Sequence, residues 1–244
     1  MAEALADPRR RVVEGGLISK SLTAIAKIIQ WLLLSLVFSI IIEWVGMVFW
    51  WPEEGIEHSR TMLAREISYL DTDFKQSVVT SDPARFAKRF ADNTYHYLFE
   101  VTQFVDFIRW VSPPPATNEQ GFRVTLHKIV HPITEFLIAM MQVTQVFSVR
   151  LAILTLAMPI FALFTLVALV DGLVQRDLRR WGGGRESSFV YHYAKNAALP
   201  LVVITWVVYL ALPFSLHPTF IVLPFAAMFA LTVAVTASTF KKYL

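Results

Sequence analysis

Apolar residues fall into four long blocks that polar, charged stretches separate. The clearest block, Leu151 to Val170, has twenty uncharged residues between Arg150 and Asp171. A helix rises about 1.5 Å per residue, so a block of this length matches the roughly 30 Å hydrocarbon core of a membrane. The pattern predicts four transmembrane helices, over residues 28–51, 151–170, 197–216 and 219–240.

The ends of these blocks refine the prediction. The last two blocks lack Asp, Glu, Lys and Arg and are separated only by His217 and Pro218, which predicts a tight helical hairpin. The first block follows basic residues, as a secretory signal peptide does. It is longer than a signal-peptide core and ends at Trp51 and Pro52 instead of a small-residue cleavage site, which favours an uncleaved anchor.

A further uncharged stretch at residues 136–149 lies directly before Arg150. It is too short to span a membrane alone, and neither Gly nor Pro separates it from the second block. We therefore interpret residues 131–170 as one long helix. The alternative is a re-entrant or interfacial piece, and a fifth span would place the C-terminus on the other side.

The polar stretch at residues 52–150 has helical periodicity. Apolar residues recur there at spacings of three and four, at Leu63, Ile67, Leu70, Phe74 and Val78. Asp82 and Pro83 then provide a cap and a first helical residue, so a second helix begins there and carries Phe86, Phe90 and Tyr97. No strand-like alternation occurs. We expect an all-α integral membrane protein with a helical extracytoplasmic domain inserted between spans 1 and 2.

Basic residues near the spans predict the orientation. The arm at residues 1–27, the loop at 171–196 and the tail at 241–244 each have more Lys and Arg than Asp and Glu, and all lie on one side of a four-span protein. The stretch from Pro52 to Ser148 has nine basic and twelve acidic residues. We expect both termini in the cytoplasm and residues 52–150 outside, with Trp50 and Trp51 as interfacial anchors.

Composition excludes several classes of protein. The chain has 244 residues, 55% hydrophobic and only 17% charged, whereas soluble domains have about 25% charged residues. It contains no cysteine, which excludes disulfides, thiolate metal sites and cysteine nucleophiles. The net charge of +3 gives no support for direct nucleic-acid binding.

Catalytic and metal-binding motifs are weak in this sequence. His127, His131 and Glu135 are spaced four apart, as ligands on one helical face would be, but Pro132 disrupts a helix there. Surface histidines near the membrane are the favoured interpretation. Three glycines at residues 182–184 lack the strand and the Lys of a phosphate loop and suit a helix end. We expect no cofactor, no metal and no catalytic residue.

Glu43 is the carboxylate that lies inside a predicted span. A charge at that depth costs at least about 2.5 kcal/mol on insertion scales, so such a residue needs a partner or a function. Arg150, at the outer end of the second span, is the expected partner in a structural interhelical pair. A proton or ion site at Glu43 is the alternative.

Two further sets of residues are candidates for contacts. The stretch after the second span is basic and carries an aromatic residue, which suits the inner leaflet or a cytoplasmic partner; its candidates are Arg176, Arg179, Arg180, Trp181 and Arg185. The fourth block has small residues every four positions, at Ala226, Ala230, Ala234 and Ser238. Such a ladder lets another helix approach closely, from the third span, a second copy or another subunit.

Four stretches carry a resemblance to a known family: Glu43–Gly55, Ser81–Glu100, Asp171–Lys195 and Ala237–Leu244. They resemble the integrating conjugative element membrane proteins, an uncharacterised-domain family from mobile elements of Gram-negative bacteria. The resemblance covers nearly the whole chain after the N-terminal arm. It implies an inner-membrane protein encoded among conjugative transfer genes, in or beside the type IV secretion and coupling machinery. Residues 52–150, which the charge pattern places outside, are then a periplasmic domain. The resemblance implies no catalytic residues.

Three functions follow as hypotheses. The favoured one is a non-enzymatic subunit or accessory factor of a conjugative DNA-transfer apparatus, which binds membrane lipid and other transfer proteins, with the coupling ATPase and a second copy among the candidate partners. The second is a small transporter or intramembrane enzyme that uses Glu43. The third is a membrane protein of the exclusion or immunity type.

Overall fold

The computed structural model describes residues 17–73, 80, 82–113, 130, 133–183 and 188–240. Within these ranges the chain is all-helical and has no strand, as the sequence predicts. A π-helical turn, His96–Glu100, follows α3 directly. The α-helices are α1 (Leu17–Phe49), α2 (Ile56–Asp73), α3 (Pro83–Tyr95), α4 (Phe104–Val111), α5 (Thr134–Trp181), α6 (Ser188–Ala211) and α7 (Thr219–Thr239).

Four of these helices are long and apolar enough to cross a membrane, at Ile25–Phe49, Thr134–Trp181, Phe189–Ala211 and Thr219–Thr239. Large apolar side chains such as Leu163, Leu166 and Leu231 remain exposed on them, which suits contact with lipid. The four helices are compatible with a multi-pass membrane protein.

The chain divides into two units, residues 1–34 and 35–244. The described part of the first unit is the beginning of α1, where Leu22, Ile28 and Leu33 are exposed. In the second unit the rest of α1 has a buried stripe in which every fourth residue is covered. The stripe consists of Ser35, Ser39, Glu43 and Met47.

Helix α5 organises the second unit. Its 48 residues correspond to a length of about 70 Å, more than twice a hydrocarbon core. Helices α2 and α3 pack against α5, α7 packs along it, and α6 packs on α7. Residues 136–149 are part of this one continuous helix, as the long-helix interpretation expects.

Apolar contacts differ along α5. Near its beginning, Met141 packs with Phe99 and Ile108 from the π-helical turn and α4. Further along, α5 and α7 share a core, whose buried members are Ala157, Phe161, Val222 and Ala226. The N-terminal part of α5 therefore carries the α2–α4 segment (residues 56–111), and the C-terminal part forms a bundle with α6 and α7.

Two helix ends follow from local signals. The side chain of Asp82 accepts a hydrogen bond from the backbone N–H of Arg85 at 3.0 Å, and Pro83 is the first residue of α3, which confirms that predicted start. Helix α5 ends at Trp181, with Gly182 at the cap and Gly183 at φ +67°. Glycine favours this left-handed backbone, and the predicted helix end is confirmed.

Other boundaries differ from the prediction. Helix α6 ends at Ala211, because Leu212 precedes Pro213 and proline disfavours helical backbone in the residue before it. Residues 212–218 connect α6 to α7, instead of His217 and Pro218 alone. The expected loop at residues 171–196 is largely helical, since α5 continues to Trp181 and α6 begins at Ser188.

Candidate functional site

A buried polar cluster surrounds Arg150, the largest fully buried side chain of the described residues, which is 1% exposed. Arg150 Nη2 lies 2.8 Å from Glu66 Oε1, and Nε donates to the same oxygen at 2.9 Å. The hydroxyl of Tyr209 donates to the other carboxylate oxygen at 3.1 Å. We call Arg150, Glu66 and Tyr209 the Arg150 cluster; it joins α5, α2 and α6.

The guanidinium of Arg150 also donates hydrogen bonds to backbone carbonyls at the C-terminal end of α6 and just after it. Nη1 donates to the carbonyls of Tyr209 at 3.3 Å and Leu212 at 2.5 Å, and Nη2 donates to that of Phe214 at 2.9 Å. The last carbonyls of a helix have no intrahelical partner, and a proline follows here. Arg150 therefore supplies donors to carbonyls that the end of α6 leaves free.

Burial controls the electrostatics of Glu66, which is fully covered. Desolvation raises the pKa of Glu66 above its usual value of 4.5, and the charge and hydrogen bonds of Arg150 oppose that rise. Removing one member of a buried ion pair costs about 3–5 kcal/mol, because the other charge remains buried without a partner. The Arg150 cluster therefore joins α2 to α5 and to the end of α6.

A second polar group lies where α1 ends. Glu43 is 1% exposed, and its carboxylate oxygens lie 3.1 and 3.2 Å from Nδ1 of His58 on α2. The His58 ring stacks on Trp51, with ring centroids 4.0 Å apart. A Cβ at Gly46 would overlap the Trp51 ring, so the glycine makes room for this stack. We call Glu43, His58 and Trp51 the His58 cluster.

The structure corrects the expected pairing of Glu43 with Arg150. Glu43 is bonded to His58, and Arg150 is bonded to Glu66, so each buried charge has a partner on α2. The prediction considered only the span helices, whereas both observed partners, His58 and Glu66, lie on α2. Glu43 and Arg150 therefore belong to two separate clusters.

Glu66 carried a signal that the apolar pattern did not use. The buried stripe of α2 consists of Ser59, Met62, Glu66 and Leu70, spaced three and four apart. A carboxylate in line with buried residues requires a cationic partner. Of the predicted stripe, Leu70 is buried as expected, whereas Leu63 and Ile67 lie beside the buried stripe and are half-buried; Phe74 and Val78 lie outside the described residues. Tyr209 had no such signal, since aromatic residues are common in spans.

The small-residue ladder packs against α5 at Ala226 and Ala234. Ala226 is fully buried in the core that α5 shares with α7. A Cβ placed on Gly172 of α5 would lie 2.5 Å from the carbonyl oxygen of Ala234 and 2.8 Å from Cβ of Ala237. We call this approach the Gly172 contact. The helix that approaches the ladder is the second span of the same chain, which the sequence alternatives did not include; Ala230 is half-buried.

The candidate basic residues separate into different environments. Arg179 donates to the backbone carbonyl of Ser238, the last rung of the ladder, near the end of α7. Arg176 is partly buried, with Nη2 3.4 Å from Asp177. Arg180 is exposed, and Trp181 is 91% exposed. Arg185 lies outside the described residues. Of these candidate residues, Arg180 and Trp181 are therefore the ones exposed for contact with a partner or lipid.

The two candidate anchors also differ. Trp50 is 64% exposed at the end of α1, where an interfacial tryptophan would lie. Trp51 is half-buried and stacked on His58, so its ring has an internal contact. For the histidine motif, His127 and His131 lie outside the described residues. Among the residues described, no group of three His, Asp or Glu side chains is placed to hold a metal.

The α3–α4 stretch exposes several large apolar side chains. Tyr97 is 68% exposed and Val101 is 59% exposed, and Phe90, Leu98 and Phe107 are also open. The buried residues of α3 are Pro83, Ala87 and Ala91, whereas Phe90 on the same helix is exposed. Exposed apolar surface of this kind marks contact sites for proteins or membranes.

Comparison with known proteins identifies a family. A family model described as IncC plasmid conjugative DNA transfer protein DtrJ-like matches residues 50–241, which is 192 of the 244 residues. This match confirms the resemblance to proteins of conjugative mobile elements. Neither the curated proteins nor the solved structures compared with the chain gave a match.

Proposed function

The chain belongs to the DtrJ-like family of conjugative DNA transfer proteins, and from this premise we propose that it is a non-enzymatic membrane subunit or accessory factor of the transfer apparatus. The observation that carries the proposal is the Arg150 cluster. It joins α2 to α5 and α6 through buried charged hydrogen bonds. The α2–α4 segment and helices α5 to α7 then act as one support on which other subunits assemble.

The proposed placement follows the charge distribution. The protein lies in the bacterial inner membrane with both termini in the cytoplasm, and the α2–α4 segment is periplasmic. The basic stretch near the end of α5 then faces the inner leaflet or the coupling ATPase of a type IV secretion system. The exposed apolar side chains of α3–α4, Tyr97, Val101 and Phe107, face channel proteins.

A structural role for the buried carboxylates supports a non-enzymatic function. Glu43 is bonded to His58, and Glu66 to Arg150 and Tyr209. A transporter or intramembrane enzyme would use such a group at an open polar cavity. Glu43→Gln tests this alternative: we expect transfer to continue if the protein still assembles. Loss of transfer with normal insertion and stability would favour an active carboxylate.

The principal test is a mating assay with a clean deletion of the gene. We expect deletion in the donor to lower DNA transfer and expression in the donor to restore it. Unchanged transfer would remove the proposal. Expression in the recipient alone provides the comparison for the third hypothesis, because an exclusion protein would reduce transfer into that cell while leaving its donor ability intact.

The apolar surface of α3–α4 offers a sharper test. We expect the double substitution Val101→Asp and Phe107→Asp to reduce transfer and to weaken recovery of transfer proteins with a tagged copy. The control is Asp106→Asn with Arg109→Gln, which changes an exposed ion pair on α4, the helix that carries Phe107. Equal effects of the two double variants would show that this apolar surface is not the contact site.

A further inference from the structure

An open groove lies where α5, α6 and α7 meet near the end of the bundle. It has a volume of about 310 Å³. Its walls are mostly apolar and come from the last part of the α5 span, the beginning of α6 and the end of α7. The principal lining residues are Leu169, Leu173, Tyr191, Lys195, Val233 and Phe240. We call it the Lys195 groove.

Two residues of that lining are ionisable, Tyr191 and Lys195, and Lys195 is the one that carries a positive charge. Its ammonium lies 5.9 Å from the centre of the Tyr191 ring, within the range of a cation–π contact. The Tyr191 ring meets Phe240 edge-on, with centroids 5.9 Å apart. The Tyr191 ring therefore places the Lys195 ammonium at the border of the apolar groove. The groove lies toward the C-terminal end of α5, the end that carries Arg179 and Arg180.

A second groove provides a comparison. The Trp44 groove, about 410 Å³ in volume, lies between α1 and the beginning of α5, with Trp44, Val48 and Leu137 among its lining residues. None of its lining residues is ionisable, and the Trp44 N–H already donates to the carbonyl of Phe136 at 2.8 Å. Both grooves suit hydrocarbon, but only the Lys195 groove also offers a charge.

We propose that the Lys195 groove binds one anionic phospholipid, whose acyl chain lies against Leu169, Leu173 and Val233 and whose phosphate contacts Lys195. An occupant must match both the apolar walls and the single positive charge. A phospholipid combines these features, and the groove lies on helices that lipid surrounds. A free phosphate ion would leave the apolar walls uncovered, and an uncharged lipid would leave Lys195 without an anion.

The test uses the full-length protein in mild detergent, incubated with phosphatidylglycerol or with phosphatidylcholine of the same acyl chains and analysed by native mass spectrometry. We expect one phosphatidylglycerol per chain, retained about fivefold better than phosphatidylcholine, the preference that one lysine near a lipid surface provides. Lys195→Gln should abolish the preference. The control Lys88→Gln, an exposed lysine on α3, should retain it.

A steric variant keeps the test independent of charge. Ala198 also lines the groove, and Ala198→Phe should reduce retention of both lipids while circular dichroism shows unchanged helix content. Equal retention of the two lipids by the unaltered protein would overturn the proposal, as would equal behaviour of Lys195→Gln and Lys88→Gln. A chain dimer that Ala198→Phe dissociates would show that a second copy, and not a lipid, occupies the groove.

Discussion

The Arg150 cluster and the Gly172 contact both hold α5 to its neighbours, but by opposite chemistry. At Arg150, the guanidinium, carboxylate and hydroxyl are buried together and satisfy one another and the carbonyls at the end of α6. The contact at Gly172 involves no polar side chain. Because glycine has no side chain, the backbone of α7 can approach α5 closely there. Charge is used where carbonyls are free, and close packing where the backbone is already hydrogen-bonded.

The largest expected effect is at Arg150. Arg150→Met should lower the free energy of unfolding by about 3–5 kcal/mol, because Glu66 remains buried and several carbonyls lose their donors. The measurement is unfolding by SDS in mixed micelles, followed by circular dichroism. The control Arg109→Met removes an exposed pair with Asp106, which contributes at most about 1 kcal/mol. Similar losses in the two variants would contradict a structural Arg150 cluster.

Gly172→Ala should cost about 1–3 kcal/mol of unfolding free energy, because the new methyl group would overlap the Ala234 carbonyl and force the two helices apart. The control is Gly182→Ala: a Cβ there would lie 3.5 Å from the nearest atom, at φ −82°. The same unfolding assay measures both. If Gly172→Ala is as stable as the control, the close approach of α5 and α7 is not required.

The Arg150 cluster should also give a pH dependence that the Gly172 contact lacks. The folded-state pKa of Glu66 is raised, so its protonated form is favoured in the folded protein. The stability from this group is fully present below the usual pKa of 4.5 and is lost as pH rises through the raised pKa, by at most about 1.4 kcal/mol per pH unit.

Glu66→Gln provides the reference for that measurement, because the amide cannot ionise. As pH rises above 4.5, the unfolding free energy of the original protein should fall relative to that of this variant. A constant difference between pH 4 and pH 7 would contradict a raised pKa, and a change of opposite sign would indicate a lowered one.

The smallest expected effect is near the Gly172 contact, at Arg179. Arg179→Gln removes the hydrogen bond to the Ser238 carbonyl and should cost about 1 kcal/mol, the usual contribution of one such bond. Arg180→Gln, one residue further on an exposed position, should leave unfolding unchanged. If Arg180→Gln instead lowers DNA transfer without loss of stability, that result supports a partner or lipid contact at this surface.

Local signals in the sequence predicted a large part of this structure. The lengths of the apolar blocks predict four long helices, Asp82 with Pro83 predicts the start of α3, and the glycines after Trp181 predict the end of α5. Each signal depends on neighbours along the chain. The small-residue ladder of α7 indicated close packing, although it did not identify α5 as the helix that approaches it.

The partners of buried charges could not be read in the same way. Glu43 and Arg150 were recognised as residues that need partners, yet those partners are His58 and Glu66 on α2. The positions of these residues along the chain do not predict the pairing, because the pairing depends on where α2 lies relative to Glu43 on α1 and Arg150 on α5. The groove at Lys195 likewise forms only where three helices meet.

The sequence by itself determined that this chain forms long apolar helices, where several of them begin or end, and that Glu43 requires a compensating partner. The length of an apolar block, helix capping and the desolvation of a charge each depend on single residues or on neighbours along the chain, so they can be predicted from the sequence. Only the tertiary structure decided which charges pair, which helix meets the ladder and where a cation borders an apolar groove, because these depend on distances between segments far apart in the chain.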